Sequence, residues 1–304
     1  MNRISAIAYA AGVLALGAPI ALTAQSAEMP VSAHGAVGES RELLFADEFD
    51  SGKLDRSKWA VIGPDFWVNN EQQAYVDDPA VIDFIDGIEG ADGGVLMLRP
   101  VFKPGVDPNK ERNAPFVSGR IESAGKFDFT HGRAEARIRM PANVGVWPAF
   151  WLLGNGKWPG SGEIDILEYV GEKDWVGVAL HGPGYSGETP LVNKYFFPEG
   201  VDVTQWHTYA VEWTDSQIDF VVDGQVTYRV TRPMVENYGE WVFDTEKYVI
   251  LNFAMGGAYP FKTNRIEEPY NGVPQATVDA VKTGEVAMLV DWVRVYAPED
   301  ERAE

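Results

Sequence analysis

The sequence predicts an all-β protein built as a two-sheet antiparallel sandwich. Three observations carry that prediction. Strand-period alternation recurs along the chain, helical periodicity is scarce, and 31 Gly with 19 Pro supply the turns that many short strands need. Bending such sheets gives a concave face suited to a long ligand.

The elements follow in order. Residues 1–24 open with Met-Asn-Arg, continue as an apolar stretch from Ile4 to about Leu22, and end in small residues. That is the pattern of a secretory signal peptide cut near Ala24 or Ala27. A membrane anchor is the competing reading, but Pro19 and two glycines interrupt the stretch. Residues 25–40 are small, polar and aperiodic, which reads as a flexible leader. From residue 41 to 298 no Gly/Ser run, internal repeat or low-complexity tract breaks the chain, so one domain is expected. Residues 299–304 read as an acidic tail.

Within the domain, Arg133–Met140 alternates. Ala134, Ala136, Ile138 and Met140 take one face, and Arg133, Glu135, Arg137 and Arg139 the other. Thr208–Trp213 is rich in β-branched and aromatic residues. Ile218–Tyr228 is a hairpin with Asp223-Gly224 at its turn. Tyr248–Phe253 and Met288–Tyr296 are further strands. Arg232–Tyr238 and Ala276–Val281 are the best helical stretches.

Composition narrows the function classes. With 45% hydrophobic and 23% charged residues, the 304-residue chain is globular and long enough for a sizeable core. Its 25 basic and 45 acidic residues give a formal charge of −20, which repels phosphate backbones and argues against a nucleic-acid partner. The absence of cysteine removes a disulfide framework, a thiolate metal site and a Cys nucleophile. It fits a bacterial protein exported to the periplasm or the medium without reliance on disulfides. No second apolar run approaches membrane length, so no membrane association is expected once the signal is cut.

The segment richest in chemistry is Gly162-Glu163-Ile164-Asp165-Ile166-Leu167-Glu168-Tyr169. Three carboxylates this close repel one another and are costly to bury, so a structural purpose is hard to supply. On a helix Glu163 and Glu168 would diverge by about 140°. On a strand Glu163 and Asp165 share a face, with Ile164 and Ile166 toward the core. Glu168 falls on the wrong face by parity. A β-bulge around Ile166–Leu167 restores it, and such bulges recur beside active sites.

Two carboxylates on one concave face point to glycoside hydrolysis. One attacks the anomeric carbon; the other protonates the leaving oxygen and later takes a proton from water. Retention of configuration needs the pair roughly 5–5.5 Å apart. Asp165, between them, would hydrogen-bond the nucleophile and help keep the acid protonated. A solvated acidic strand face and a divalent metal held by the trio remain open at this point.

The surroundings favour a sugar. Trp147, Trp151 and Trp158 lie close to the acids in sequence, and indole rings pack on the flat C–H faces of sugars. His181, one strand further on, is a candidate hydrogen-bond partner of sugar or nucleophile.

With those residues in hand, the chain from about Leu43 to Tyr296 resembles glycoside hydrolase family 16, and within it the laminarinase-like endo-β-1,3-glucanases. The Glu163–Glu168 segment carries the resemblance in its Trp-Pro-Gly-Ser-Gly-Glu context. Further matching blocks are Asp47–Asp50, Asn69–Glu71, Ser118–Ser123, Gly145–Trp151, Trp206–Trp213, Leu251–Gly257 and Val290–Tyr296. The resemblance implies an antiparallel β-jelly-roll sandwich with a concave substrate cleft, acting by double displacement. Glu163 then matches the nucleophile, Asp165 its assisting acid and Glu168 the acid/base. Asn70, Arg120, Trp147, Trp151 and His181 match positions on the glycone side. No cofactor is implied for catalysis. A structural Ca²⁺ on the convex side is, with Glu48, Gly94 and Asp291 at its ligand positions. The implied partner is a polysaccharide, met by a monomer.

The stretch Tyr259–Glu285 is longer than in many laminarinases, and an insertion there is expected to rim or cap the cleft. The same family acts on mixed-linkage glucan, agar-type galactans and other polysaccharides, a bacterial exopolysaccharide among the alternatives. It also includes non-catalytic glucan-binding relatives, which lose the carboxylates. All three are present here.

Overall fold

A computed structural model describes residues 41–299. The stretches expected to be a signal peptide (1–24) and a leader (25–40), and all but the first residue of the expected acidic tail, lie outside the described residues. Chain order runs β1 (Leu43–Asp47), β2 (Ala60–Val61), β3 (Gln73–Tyr75), β4 (Ile82–Ile85), β5 (Val95–Leu98), β6 (Val101–Phe102), β7 (Phe116–Ser118), β8 (Arg120–Glu122) and β9 (Gly132–Arg139). It continues through β10 (Val146–Gly154), β11 (Glu163–Glu168), β12 (Trp175–His181), β13 (Val192–Phe196), β14 (His207–Trp213), β15 (Gln217–Val222), β16 (Gln225–Thr231) and α1 (Arg232–Glu236). The last elements are β17 (Lys247–Met255), α2 (Ala258–Asn264), α3 (Gln275–Thr283) and β18 (Met288–Tyr296).

An eight-stranded sheet runs β16-β15-β14-β9-β18-β5-β4, with β1 also paired to β18. A seven-stranded sheet runs β13-β12-β11-β10-β17-β8-β2, and β3-β7-β6 form a small third sheet. The two large sheets are antiparallel throughout and pack as a jelly-roll sandwich. Alternation explains the core between them. Ala134, Ala136 and Ile138 from one sheet face Phe150, Leu152 and Ile164 from the other, all fully buried.

The hairpin forms as expected, with Asp223 and Gly224 both at positive φ (49° and 78°), the combination a type I′ turn needs. The charged face of β9 is partly buried. Arg133 and Glu135 are buried, and Arg133 bonds both Glu135 and Glu212 while Arg41, just before β1, also reaches Glu212. Pairing across neighbouring strands satisfies these charges.

Two glycines set the β10–β11 turn. A Cβ at Gly154 would stand 1.8 Å from the Ser161 carbonyl oxygen, so only glycine lets the strands close here. Gly162 takes φ of 71° immediately before Glu163, a left-handed turn that costs other residues energy. Together they fix where β11 starts, and so which of its side chains leave the core.

Candidate active site

The bulge lies where parity placed it. On the β10 side Phe150 pairs with Leu167 and Trp151 with Asp165, which leaves Ile166 as the extra residue. On the β12 side the register shifts between Asp165 and Glu168. Ile164, Ile166 and Leu167 all turn into the core. Glu163, Asp165 and Glu168 therefore share the outer face, and all three line one cleft of about 300 Å³.

Each acid is held by a neighbour. The Trp147 indole N–H donates to Glu168 Oε1 at 3.0 Å, and that of Trp158 donates to Glu163 Oε2 at 2.7 Å. His181, opposite Glu163 in the β11–β12 register, brings Nε2 to 3.2 Å from Asp165 Oδ2 and 4.0 Å from Glu163 Oε1. It reaches the acids rather than joining the cavity wall. Glu163, Asp165 and His181 offer ligand atoms within 4.8 Å of one another, so the trio's end has the spacing of a metal site as well as of a proton-sharing cluster.

Burial is the first cause of a raised pKa at all three acids. It lifts Glu163 to about 8, helped by the charge of Asp165, against His181 and the Trp158 hydrogen bond. It lifts Glu168 to about 7, helped by Glu163 and opposed by Trp147 and His181. Asp165 is pushed well up by burial and by the charge of Glu168. At neutral pH the trio shares protons and carries less than its full charge.

The other half of the cleft lies over β10, β17 and β8. Trp151 donates its N–H to Asn252 Oδ1 at 2.8 Å, and Asn252 donates to the Tyr75 hydroxyl at 3.0 Å. The Arg120 guanidinium, paired with Glu122 at 3.0 Å, lies between the Phe66 and Trp151 rings at 4.3 and 4.9 Å. Arg120, Trp147, Trp151 and Trp158 all line the cavity, as the sequence suggested. At the Asn69-Asn70 pair the lining residue is Asn69, while Asn70 is exposed outside the lining and accepts a bond from Gln72 through its carbonyl. Both sit at φ of 55°, a tight turn whose side-chain directions the sequence does not reveal.

Sequence reasoning gave no role to Phe66, Glu71, Tyr75 or Asn252, which also line the cleft. Glu71 is a buried carboxyl raised by burial to about 6, with Gln73 donating to it at 2.7 Å. Asn252 had a signal: it is a lone amide in the otherwise apolar run Tyr248–Phe253.

The three positions named for Ca²⁺ sit apart from this cleft. Both Glu48 oxygens accept from Arg294 at 2.9 and 2.8 Å. Asp291 accepts from the Asp92 backbone N–H at 3.0 Å and from Arg137. Gly94 donates its N–H to Asp50 at 2.8 Å. Each of these carboxylates already accepts from an arginine, Glu48 from Arg294 and Asp291 from Arg137, and a cation here would share their oxygens with those partners.

An antiparallel sandwich whose outer face gathers paired acids, indole rings and hydrogen-bonding amides is the build of an enzyme that cuts polysaccharides. Residues 105–266 match the family described as glycosyl hydrolases family 16. The chain is 33% identical over 271 residues to a beta-glucanase from Rhodothermus marinus, covering 84% of this chain and 85% of that protein. Its fold matches the laminarinase catalytic domain from Thermotoga maritima with a TM-score of 0.71 and 30% identity, over 86% of this chain and 100% of that one. It matches the endo-β-1,3-glucanase from Pyrococcus furiosus with a TM-score of 0.71 and 32% identity, over 84% and 94%. The chain belongs to glycosyl hydrolase family 16 and is a glycoside hydrolase.

Among the described residues no helix is long and apolar enough to cross a membrane.

Proposed function

We propose that this is an exported, endo-acting glycosidase that cleaves β-1,3-linked glucan with retention of configuration. The observation that carries the reading is the bulged strand: one extra residue turns Glu163, Asp165 and Glu168 onto the same cleft face. The Glu163 carboxylate attacks the anomeric carbon while Glu168 gives its proton to the glycosidic oxygen, and the C–O bond breaks. Glu168, now ionised, takes a proton from water; the water oxygen attacks the same carbon and Glu163 leaves. Burial raises Glu163 and Glu168 together, so the pair keeps a shared proton near neutral pH, which the mechanism places on Glu168. The trio works here as a proton-sharing cluster, because a bound divalent ion would hold the acids ionised and remove the proton donor.

The linkage rests on the relatives, which are a laminarinase and an endo-β-1,3-glucanase. Export rests on the N-terminal pattern of residues 1–24. Non-catalytic glucan binding is the competing class. Burying three mutually repelling acids is costly, and binding a neutral sugar gives no reason to bear that cost. The test is a panel of laminarin, curdlan, lichenan, agarose and carrageenan, with the product anomer read by NMR in the first minutes. Cleavage of laminarin with β product is expected. An inverted anomer, or cleavage of a galactan alone, overturns the reading.

Asp165 gives a pH prediction whose sign follows from its charge. That charge raises Glu163, and the nucleophile must be ionised to attack. Asp165→Asn removes the charge, so the acidic limb of kcat/KM against pH moves to lower pH, with the rate itself reduced by about 10–100-fold. A limb that stays in place shows that Asp165 does not act on Glu163 through its charge.

A further inference from the structure

The described cavity covers half of what an endo-acting enzyme needs. Its wall comes from the Phe66–Tyr75 segment and from β8, β10, β11 and β17, and it stops at the acids. A polymer cut in its middle must continue past them. The register shows the continuation: Gly177 of β12 pairs with Glu168, and Ala179 with Asp165. Facing residues of antiparallel strands share a face, so only a glycine and an alanine lie beside the acids here, both buried beneath what packs above them.

One side chain stands over Gly177. Tyr259, in the first turn of α2, packs edge-on against Trp147 with ring centroids 5.7 Å apart. Its hydroxyl lies 3.2 Å from where a Cβ on Gly177 would be. Trp147 is the residue that donates to Glu168, so the phenol flanks the proposed proton donor. The charges of Glu168 and Asp165 both act on the phenol, which is partly buried. Among the described residues the hydroxyl makes no hydrogen bond; it is left with a donor and an acceptor to offer.

Lys262, one turn further along α2, pairs with Glu188 in the β12–β13 loop, which ties the helix across this end of the sheet. The rest of the Tyr259–Glu285 stretch turns away. Tyr270 packs on Phe102 and Phe116, and Thr277 bonds the Val144 carbonyl. The long segment thus rims the cleft only through the first turns of α2.

We propose that Tyr259, seated over Gly177 and beside Trp147, forms a wall of the site for the first sugar on the leaving-group side, with the Tyr259 hydroxyl hydrogen-bonding a hydroxyl of a β-linked glucosyl unit. The inference rests on the double-displacement reading. In that reading a sugar in this site serves twice: it leaves in the first step, and it can return as acceptor in place of water in the second. Its hydroxyl then attacks the anomeric carbon, gives its proton to Glu168 and releases Glu163.

The experiment measures transfer against hydrolysis, with laminaritetraose as donor and laminaribiose as acceptor. The ratio cancels any change in the amount of folded enzyme. Tyr259→Phe keeps the ring and removes the hydroxyl, and is expected to lower the ratio about 3–10-fold. Tyr259→Ala is expected to lower it about tenfold or more. Gly177→Ala, which places a methyl against the Tyr259 hydroxyl and shifts it, is expected to lower it as well. A retained product anomer with an unmoved ratio in the Tyr259 variants overturns the assignment and leaves the mechanism standing. An inverted anomer from the unaltered enzyme, with no transfer product, overturns the mechanism and this inference with it.

Discussion

Glu163→Ser is expected to lose on the order of 10⁵-fold in the rate of laminarin hydrolysis, close to 7 kcal/mol of transition-state stabilisation. The size follows from the chemistry. Serine is too short to reach the anomeric carbon that the carboxylate attacks, and without the covalent intermediate both steps of the reaction fail together. Binding is expected to survive, because Trp151, Asn252 and Arg120 are held by one another, Glu122 and Tyr75, and among the described residues no hydrogen bond or ion pair joins them to Glu163. Rate and affinity therefore separate, and affinity electrophoresis in laminarin gels beside an activity assay reads both. A Glu163→Ser enzyme running at the unaltered rate would remove the nucleophile assignment. A second readout is independent of activity. The folded pKa of Glu163 lies above its ordinary value, so its share of stability is full below about 4.5 and lost as pH rises through about 8. Glu163→Gln abolishes that loss. Its Tm should gain on the unaltered protein between pH 5 and pH 9, with no gain below about pH 4.

The same residue shows what was readable in advance. The spacing Glu163, Asp165, Glu168 conflicts with strand parity, and a bulge was the cheapest way to resolve it; the register shift at Ile166 is that bulge. The Asp223-Gly224 turn and the β18 boundaries were legible for a similar reason, since local chemistry sets them. What stayed hidden depends on which strands become neighbours. Arg133 and Glu135 alternate like solvent-facing residues, yet Glu212 arrives from β14 to pair with Arg133. Phe66, Glu71 and Tyr75 reach the cleft from a loop and a strand in the small third sheet, and nothing local marks them as its wall. The choice between Asn69 and Asn70 depends on two consecutive left-handed residues. Helix α2 escaped notice because its seven residues show too little periodicity, although Tyr259 lay in the stretch expected to rim the cleft.

Glu168→Gln is expected to be slowed about 10³–10⁴-fold on laminarin, yet to form its glycosyl-enzyme almost normally from an aryl laminaribioside with an acidic phenol as leaving group. The asymmetry is the signature of the role. A natural glucan leaves as a poorly stabilised alkoxide unless Glu168 protonates it, whereas an acidic phenol leaves as its own anion. The second step still lacks its base, so the intermediate should accumulate: a burst of phenol, a low steady-state rate and a depressed KM. Azide, an anion that needs no base, should restore turnover and give a glycosyl azide of the same anomeric configuration as the substrate. The geometry supplies a control. Trp147 donates to Glu168 and can donate equally to the glutamine carbonyl oxygen, so the side chain stays seated while its acidity is gone. Equal losses on glucan and aryl glycoside, with no response to azide, would mean that Glu168 holds the cleft in shape and that the proton comes from elsewhere. In that event Asp165, also buried and also raised, is the acid left on the same face. Asp165→Asn would then take over the predicted rescue pattern, which makes the two substitutions a single decisive pair.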